Sequence, residues 1–219
     1  KAVNTCLQIT GIDWVAHKAV QPAVATLSLN MYGTHLPLNH ALVGLMNQTD
    51  VTVVVAAGNT DTDACGTSPA GIEKVITVGA TTREDERWYG SNWGPCVDLF
   101  APGGEILAVV SAAPNDTQIV SGTSAACPHV AGAAAMLLAD DHYLTHDAVK
   151  AKLLARCTRG VLRFNQGNET EDLMDTANRM LFVKTLLDPT TESSTEPPQT
   201  TDEEVPTTDK PLPWAMPFL

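Results

Sequence analysis

Two nearly continuous apolar runs of strand length constrain the fold of this chain most strongly. They occupy residues 23–29 and 51–57. A strand that is apolar at successive positions is covered on both faces, which is typical of a parallel sheet between two layers of helices. Four apolar residues of the intervening segment share one helical face: Leu38, Leu42, Leu45 and Met46. Strand, helix and strand in this order predict an α/β unit.

Further segments continue the alternation of strands and helices. Residues 74–80 and 105–111 are strand-like, the Ala-rich stretch after Ser124 predicts a buried central helix, and residues 145–156 have an amphipathic helical pattern. We therefore expect a three-layer α/β domain with a mostly parallel sheet. A chain of 219 residues that is 44% hydrophobic can bury one core of medium size.

The charge of the chain excludes one class of partner and distinguishes its C-terminal end. The net charge is −12 at pH 7, and without a Lys/Arg patch we expect no nucleic-acid partner. Residues 188–219 hold seven acidic residues, one lysine and seven of the 14 prolines. Such a Thr/Pro-rich segment buries too little apolar surface to fold. It is predicted to be a disordered acidic tail or linker, with an O-glycosylated stalk as the alternative. Its final segment, residues 212–219, is expected to be too short and too rich in proline to span a membrane.

The segment GTSAACPHVAG, residues 122–132, places a serine at the start of the Ala-rich helix. At a helix N-terminus, free backbone N–H groups and the positive end of the macrodipole stabilise negative charge on an attacked carbonyl group. Ser124 is therefore the candidate nucleophile. The chain contains no G-x-S-x-G sequence, the nucleophile elbow of α/β-hydrolases, which argues against an unrelated serine hydrolase.

Three further segments accompany this motif in a fitting order: SLN at residues 28–30, AAGN at residues 56–59 and SPAGIEKVITVGA at residues 68–80. Together with the serine motif they resemble the subtilase family of serine peptidases, closest to the branch of proteinase K and aqualysin. The resemblance covers most of the chain, so residues 1–187 are expected to form part of a subtilase peptidase domain. It implies a serine endopeptidase that forms an acyl-enzyme on Ser124.

The catalytic triad of this family is incomplete within the chain. Subtilisin has the order Asp, His, Ser, with roughly 150 residues between the histidine and the serine, whereas 123 residues precede Ser124 here. We expect the Asp and the His upstream of Lys1, and the N-terminal part of the fold to be missing. His129 lies about 140° from the serine around the same helix and is expected to be structural. The other histidines are expected on the surface: His17, His35, His40, His142 and His146.

The resemblance also assigns roles within the site. Asn59 would donate its side-chain N–H to the oxyanion, with the backbone N–H of Ser124 as the second donor. Six residues correspond to the segment that pairs with the substrate backbone and to a wall of the pocket for the residue before the scissile bond: Ser28, Leu29, Asn30, Ala56, Ala57 and Gly58. The family usually has two glycines where this chain has Asn30 and Met31, so these side chains are expected to narrow or reshape the cleft.

A disulfide and a metal site are further implications of the resemblance. Cys65 and Cys96 lie in segments that a disulfide joins in aqualysin, and such a bridge indicates an oxidising, extracellular compartment. Asp98 aligns with a calcium-binding aspartate of proteinase K, whose other protein ligands are carbonyl groups equivalent to those of Glu73 and Val75. Hard oxygen ligands suit Ca²⁺, so we expect a structural calcium ion and no organic cofactor. A lone aspartate is also typical of a turn or a helix cap.

Two functions of different classes are consistent with these features. The first is part of a secreted endopeptidase that acts on polypeptides, is monomeric, and has a propeptide or protein inhibitor as a further partner. The chain as given is expected to be nearly inert, because a serine hydroxyl needs a base to remove its proton. The second is a non-catalytic subtilase homologue that binds peptides or protein partners through the remaining cleft.

Overall fold

The computed structural model describes residues 5–109, 116–164 and 175–183. The helices are α1 (Thr5–Lys18), α2 (Leu36–Gln48), α3 (Thr123–Asp140) and α4 (His146–Arg156), and Ala64–Gly66 forms a 3₁₀ turn. The strands are β1 (Val24–Leu27), β2 (Met31–Tyr32), β3 (Thr52–Ala56), β4 (Thr67–Ser68), β5 (Ile76–Thr81), β6 (Leu99–Pro102), β7 (Ile106–Val109), β8 (Thr117–Val120), β9 (Thr158–Arg159) and β10 (Arg179–Met180). The predicted tail, residues 188–219, lies outside the described residues.

A six-stranded sheet forms the centre of the fold, in the order β1-β3-β5-β6-β10-β9. Its neighbouring strands run parallel except for the pair β10 and β9. Val54 of β3 lies beside Ile76 of β5, and Val78 of β5 lies beside Leu99 of β6. Two short antiparallel pairs, β2 with β4 and β7 with β8, lie outside this sheet. The mostly parallel sheet predicted from the sequence is confirmed.

Strand β3 shows why the apolar runs are continuous. Val53 and Val55 pack against α1 and α2 on one face of the sheet, whereas Val54 and Ala56 pack against α3 on the other. Successive side chains of a strand point to opposite faces, so helices on both faces bury all of β3. Helices, sheet and helices form the predicted three-layer α/β domain.

The predicted helices are present, and one predicted strand lies outside the main sheet. Helix α2 buries the four residues expected from its spacing: Leu38, Leu42, Leu45 and Met46. Helix α3 buries one face, whereas Gly132 and Met136 are exposed on another, so burial of the Ala-rich helix is confirmed for one face. The pattern at residues 105–111 contains β7, which pairs with β8. No helix in the described part of the chain combines the length and apolarity needed to cross a membrane.

His146 is buried, so the prediction that it lies on the surface is wrong. The N–H of Val53 donates to His146 Nδ1 at 3.3 Å. Because Nδ1 is the acceptor, the ring proton lies on Nε2, which donates to the carbonyl oxygen of Lys74 at 2.7 Å. Burial lowers the pKa of His146 below its ordinary value. A neutral imidazole ring therefore joins α4 to the sheet.

Candidate active site

Ser124 lies in the first turn of α3, next to a glycine cap. Gly122 has a φ of 142°, which residues with a side chain rarely adopt, and a Cβ there would lie 3.0 Å from Asn59 Nδ2. The carbonyl group of Gly122 accepts the N–H groups of Ala125 and Ala126 at 3.0 and 3.3 Å. The N–H of Ser124 is a first-turn donor without an intrahelical acceptor, so it is available to negative charge at this helix end.

Asn59 follows β3 and is held against α3 by Thr123. The N–H and the hydroxyl of Thr123 donate to Asn59 Oδ1 at 2.8 and 2.7 Å. The same hydroxyl oxygen accepts the N–H of Gly58 at 3.1 Å. Because Oδ1 accepts two hydrogen bonds, the orientation of the amide is fixed and Nδ2 remains as the donor on the side of Gly122. Thr123 was not predicted as a site residue from the sequence, although it is the threonine of the serine motif.

Ser124 and Ser28 form a reciprocal pair that joins the end of β1 to the start of α3. Ser124 Oγ donates to the carbonyl oxygen of Ser28 at 3.1 Å, and Ser28 Oγ donates to that of Ser124 at 3.0 Å. A backbone carbonyl group accepts a hydrogen bond but is too weakly basic to activate the hydroxyl. All six histidines lie in the described residues, and none of them hydrogen-bonds to the hydroxyl of Ser124. His129 instead bonds to the carbonyl oxygen of Ala125 at 2.9 Å.

A cleft of about 370 Å³ brings most of the predicted site residues together. The predicted residues in its lining are Ser124, Asn59, Ser28, Leu29, Asn30, Ala56 and Gly58. Three further lining residues were not predicted from the sequence: Tyr32, Thr60 and Thr123. The predicted residue Ala57 is fully buried and does not line the cleft. Its carbonyl oxygen accepts from Asn30 Nδ2 at 3.1 Å and from Asn92 Nδ2 at 2.9 Å. Ala57 therefore supports the wall from behind.

Asn30 connects the two walls of this cleft. Its Nδ2 donates to the carbonyl oxygen of Ala57 at 3.1 Å and to Thr67 Oγ1 at 2.8 Å. Its Oδ1 would lie 2.8 Å from a Cβ on Gly58, which has a φ of 109°, so only glycine fits there. The amide of Asn30 thus occupies space between residues 28–30 and residues 56–58.

Asn92 holds the loop that follows Asn59, and no motif in the sequence marked it. Its Oδ1 accepts the N–H groups of Thr60 and Thr62 at 3.0 and 3.2 Å, while its Nδ2 donates to the carbonyl oxygen of Ala57. The side chain is fully buried. A buried amide with several backbone partners rigidifies the segments that it joins, so Asn92 positions the loop beside the cleft.

The disulfide expected between Cys65 and Cys96 is present. Cys65 lies in the 3₁₀ turn after Asn59, and Asp63 caps this turn by accepting the N–H of Cys65 at 2.8 Å. Cys96 precedes Asp98 by two residues. The bridge therefore connects the loop behind the cleft to the segment of the expected metal site.

The three groups expected to bind calcium all contact one lysine. Lys150 Nζ lies 2.9 Å from Asp98 Oδ2, and donates to the carbonyl oxygens of Glu73 and Val75 at 2.8 and 2.7 Å. Asp98 Oδ2 also accepts the N–H of Thr77 at 2.9 Å. Burial raises the pKa of the Asp98 carboxyl above its ordinary value, and the positive charge of Lys150 opposes that rise. The described residues contain no group of three or more His, Cys, Asp and Glu that could hold a metal ion.

Comparison with known proteins decides the family. The family model for the subtilase family matches residues 2–174. The chain belongs to the subtilase family. It is 44% identical over 166 residues to the extracellular serine proteinase of a Thermus species, an alignment that covers 76% of this chain and 40% of the relative. It is 38% identical over 180 residues to the alkaline serine exoprotease A of Vibrio alginolyticus, covering 82% of this chain and 32% of the relative.

A solved structure supports the same assignment at the level of the fold. A cold-adapted subtilisin-like serine proteinase aligns with a TM-score of 0.76 and 38% identity, covering 84% of this chain and 63% of that one. The predicted subtilisin-like fold is thus confirmed. The chain spans less than half of the length of the two relatives above, 40% and 32% respectively.

Proposed function

We propose that this chain is part of a serine endopeptidase whose nucleophile is Ser124. Support comes from the start of α3, where the exposed Ser124 lines the same cleft as Asn59, so that the N–H of Ser124 and the amide of Asn59 are two donors in one cleft. Donors that are oriented before the reaction stabilise the oxyanion of a tetrahedral intermediate. The observation that carries the proposal is that Asn59 Oδ1 accepts two hydrogen bonds from Thr123. Because the oxygen is used in this way, the NH₂ group of the amide remains available to donate to the reacting carbonyl group.

In the proposed reaction, Ser124 Oγ attacks the carbonyl carbon of the scissile peptide bond, and a base takes the hydroxyl proton. The proton then passes to the leaving amine, and water hydrolyses the resulting acyl-enzyme. The base is a histidine that these 219 residues do not supply, since all six histidines of the chain lie in the described residues and none of them contacts the hydroxyl. The 219-residue chain alone therefore cleaves peptides at a rate close to background.

The substrate is an extended polypeptide bound along residues 28–30, since an edge segment pairs with a substrate backbone through strand addition. Asn30 occupies space between this segment and the wall at residues 56–58 through its bonds to Ala57 and Thr67. The pocket for the residue before the scissile bond is therefore small. Substrates with a small side chain at that position are the preferred ones.

Secretion and domain organisation belong to the same proposal. The disulfide between Cys65 and Cys96 requires an oxidising compartment, and the Thermus relative is named as an extracellular proteinase. The peptidase part spans residues 1–187, and the acidic, Thr/Pro-rich residues 188–219 follow it as a linker. The protein is monomeric, and a propeptide or protein inhibitor occupies the cleft as a partner.

A second candidate is a non-catalytic homologue that binds peptides in the same cleft. The hydrogen bond from Ser124 Oγ to the carbonyl oxygen of Ser28 favours it, because this acceptor leaves the hydroxyl unactivated. Peptide binding by strand addition needs no activated serine.

Labelling of the natural secreted protein with a fluorophosphonate separates the two candidates. An endopeptidase is labelled at Ser124, and Ser124→Ala abolishes labelling and lowers kcat by about 10⁶-fold, as removal of the nucleophile does in subtilisin. Ser121→Ala is the matched control, because this serine hydroxyl accepts the N–H of Glu105 and lies outside the cleft lining. A folded protein that binds peptides but is not labelled would establish the second candidate. Rapid cleavage by the 219-residue chain alone would refute the proposal that these residues do not supply the base.

A further inference from the structure

The site expected to hold calcium has suitable oxygen ligands but already contains a cation. One carboxylate and two carbonyl oxygens are the hard ligands that Ca²⁺ prefers. These three oxygens lie 2.7–2.9 Å from Lys150 Nζ. An ion bound to the same oxygens at calcium distances of about 2.3–2.6 Å would overlap the ammonium group. The residues present therefore do not fit a calcium ion while Lys150 is in place.

We propose that the Lys150 ammonium is the structural cation of this site, taking the place of a calcium ion, and that the site does not bind calcium. An ammonium group has three N–H donors, and the site offers one acceptor for each. These are Asp98 Oδ2 and the carbonyl oxygens of Glu73 and Val75. The number of acceptors equals the number of donors, and all three distances are those of hydrogen bonds. Every N–H group of the Lys150 ammonium therefore has an acceptor within the chain.

Two side chains of helix α4 hydrogen-bond to residues 73–75, the three residues before β5. Lys150 Nζ donates to the carbonyl oxygens of Glu73 and Val75, and His146 Nε2 donates to the carbonyl oxygen of Lys74, which lies between them in the sequence. His146 and Lys150 are four residues apart, so they lie on the same face of the helix. Three successive carbonyl groups are thereby satisfied from one helix face, which holds this loop without a metal ion.

The charges at the site also favour an ammonium group over an added divalent ion. The carboxylate of Asp98 forms an ion pair with Lys150, and the two side chains are only 17–18% exposed. Arg179 donates to the carbonyl oxygen of Asp98 at 3.3 Å and adds positive charge. A divalent ion would enter a site whose one carboxylate is already paired with a cation. Since Lys150 is part of the chain, dilution and chelators cannot remove it.

The decisive experiment compares Lys150→Ala with Lys152→Ala in the full protein. Lys152 is an exposed lysine of the same helix, so its variant controls for the loss of a lysine and its charge. Thermal unfolding is measured in a chelator and in millimolar Ca²⁺. We expect the wild type and Lys152→Ala to have the same midpoint in both buffers. Lys150→Ala should unfold about 6–20 °C lower in the chelator, and Ca²⁺ should restore part of the loss by binding to the vacated oxygens.

A local measurement keeps the test independent of other ion sites and of the folding of the variant. The N–H of Thr77 donates to Asp98, so hydrogen exchange at Thr77 through local opening reports on this site. In the wild type its exchange should be unchanged by Ca²⁺. Protection of Thr77 by Ca²⁺ in the wild type, abolished by Asp98→Asn, would overturn the proposal. Equal midpoints for Lys150→Ala and Lys152→Ala would also overturn it.

Discussion

The Lys150 site and the Ser124 site differ in how many of their hydrogen-bonding groups have partners among the described residues. Lys150 has three donors and three acceptors within hydrogen-bond distance. At Ser124 the hydroxyl is bonded to a backbone carbonyl group, and the N–H of the first helical turn lacks an intrahelical acceptor. A saturated cluster stabilises the folded state, whereas oriented and unsatisfied donors can bind charge that develops during a reaction. The comparison separates a structural site from a site suited to catalysis.

Substitution of Asn59 has the largest predicted effect in this comparison, and it tests the Ser124 site. Asn59→Asp keeps an oxygen to accept from Thr123 but loses the Nδ2 donor, whereas Asn59→Ala loses both. Both variants should lower kcat by about 10²–10³-fold in the catalytically complete protein, because both lack the proposed donor to the oxyanion. Steady-state kinetics with a peptide substrate measure this loss. If Asn59→Asp retains full activity, Asn59 serves only to anchor the helix.

The disulfide tests whether the two sites are coupled, since it links the loop after Asn59 to the segment before Asp98. Replacing both Cys65 and Cys96 by Ala should lower the free energy of unfolding by about 2–4 kcal/mol, because the cross-link restricts the unfolded chain. Denaturant titration measures the loss. Hydrogen exchange at Thr77 should remain slow, since its partner Asp98 is held separately by Lys150. Rapid exchange there would mean that the Lys150 site depends on the bridge.

Asn30 offers a smaller test, confined to the substrate side of the cleft. Asn30→Gly removes the amide that connects the walls. It should therefore raise kcat/KM about tenfold for peptides with a large apolar residue before the scissile bond, relative to peptides with alanine there. The ratio of the two values is the measurement, because a general loss of activity cancels. An unchanged ratio would show that Asn30 does not limit the pocket.

The smallest predicted effect is on the pH dependence of stability, and it concerns His146, which lies on the same helix as Lys150. Burial lowers the pKa of His146, so below the unfolded pKa of about 6.5 the unfolded chain binds a proton that the native ring does not. His146 therefore contributes stability that is present above about pH 6.5 and is lost as pH falls through the lower folded pKa. His146→Gln keeps a donor and an acceptor without titrating. As the pH is lowered, the free energy of unfolding of this variant should fall less steeply than that of the wild type. Denaturant titrations at several pH values measure both free energies, and an equal dependence on pH would contradict this assignment.

The strands illustrate how far local patterns determine the fold. Residues 51–57 are apolar at successive positions and contain β3, buried on both faces. The similar pattern at residues 105–111 contains β7, which pairs with β8 in a separate hairpin. Strand β6, Leu99–Pro102, ends in proline and was not predicted, yet it pairs with β5 in the main sheet. Periodicity indicates a strand, but the pairing partner depends on tertiary contacts.

The histidines and Ala57 show the same limit within the site. The sequence did not distinguish His146 from the exposed histidines, because its partners Val53 and Lys74 are 93 and 72 residues away. Ala57 was assigned to a pocket wall, and the structure buries it behind that wall. Neither burial nor the direction of a side chain follows from a motif alone.

The sequence by itself determined the α/β class, the candidate nucleophile Ser124 and the resemblance to subtilases, and that resemblance implied the role of Asn59 and the pairing of Cys65 with Cys96. These depend on local periodicity and on short motifs, which neighbouring residues encode. The tertiary structure decided that Lys150 reaches the carbonyl oxygen of Val75, 75 residues away, and that Asn30 joins the two walls of the cleft. Such contacts depend on which segments meet in space and on the requirement that buried polar groups find partners, and no local pattern specifies either.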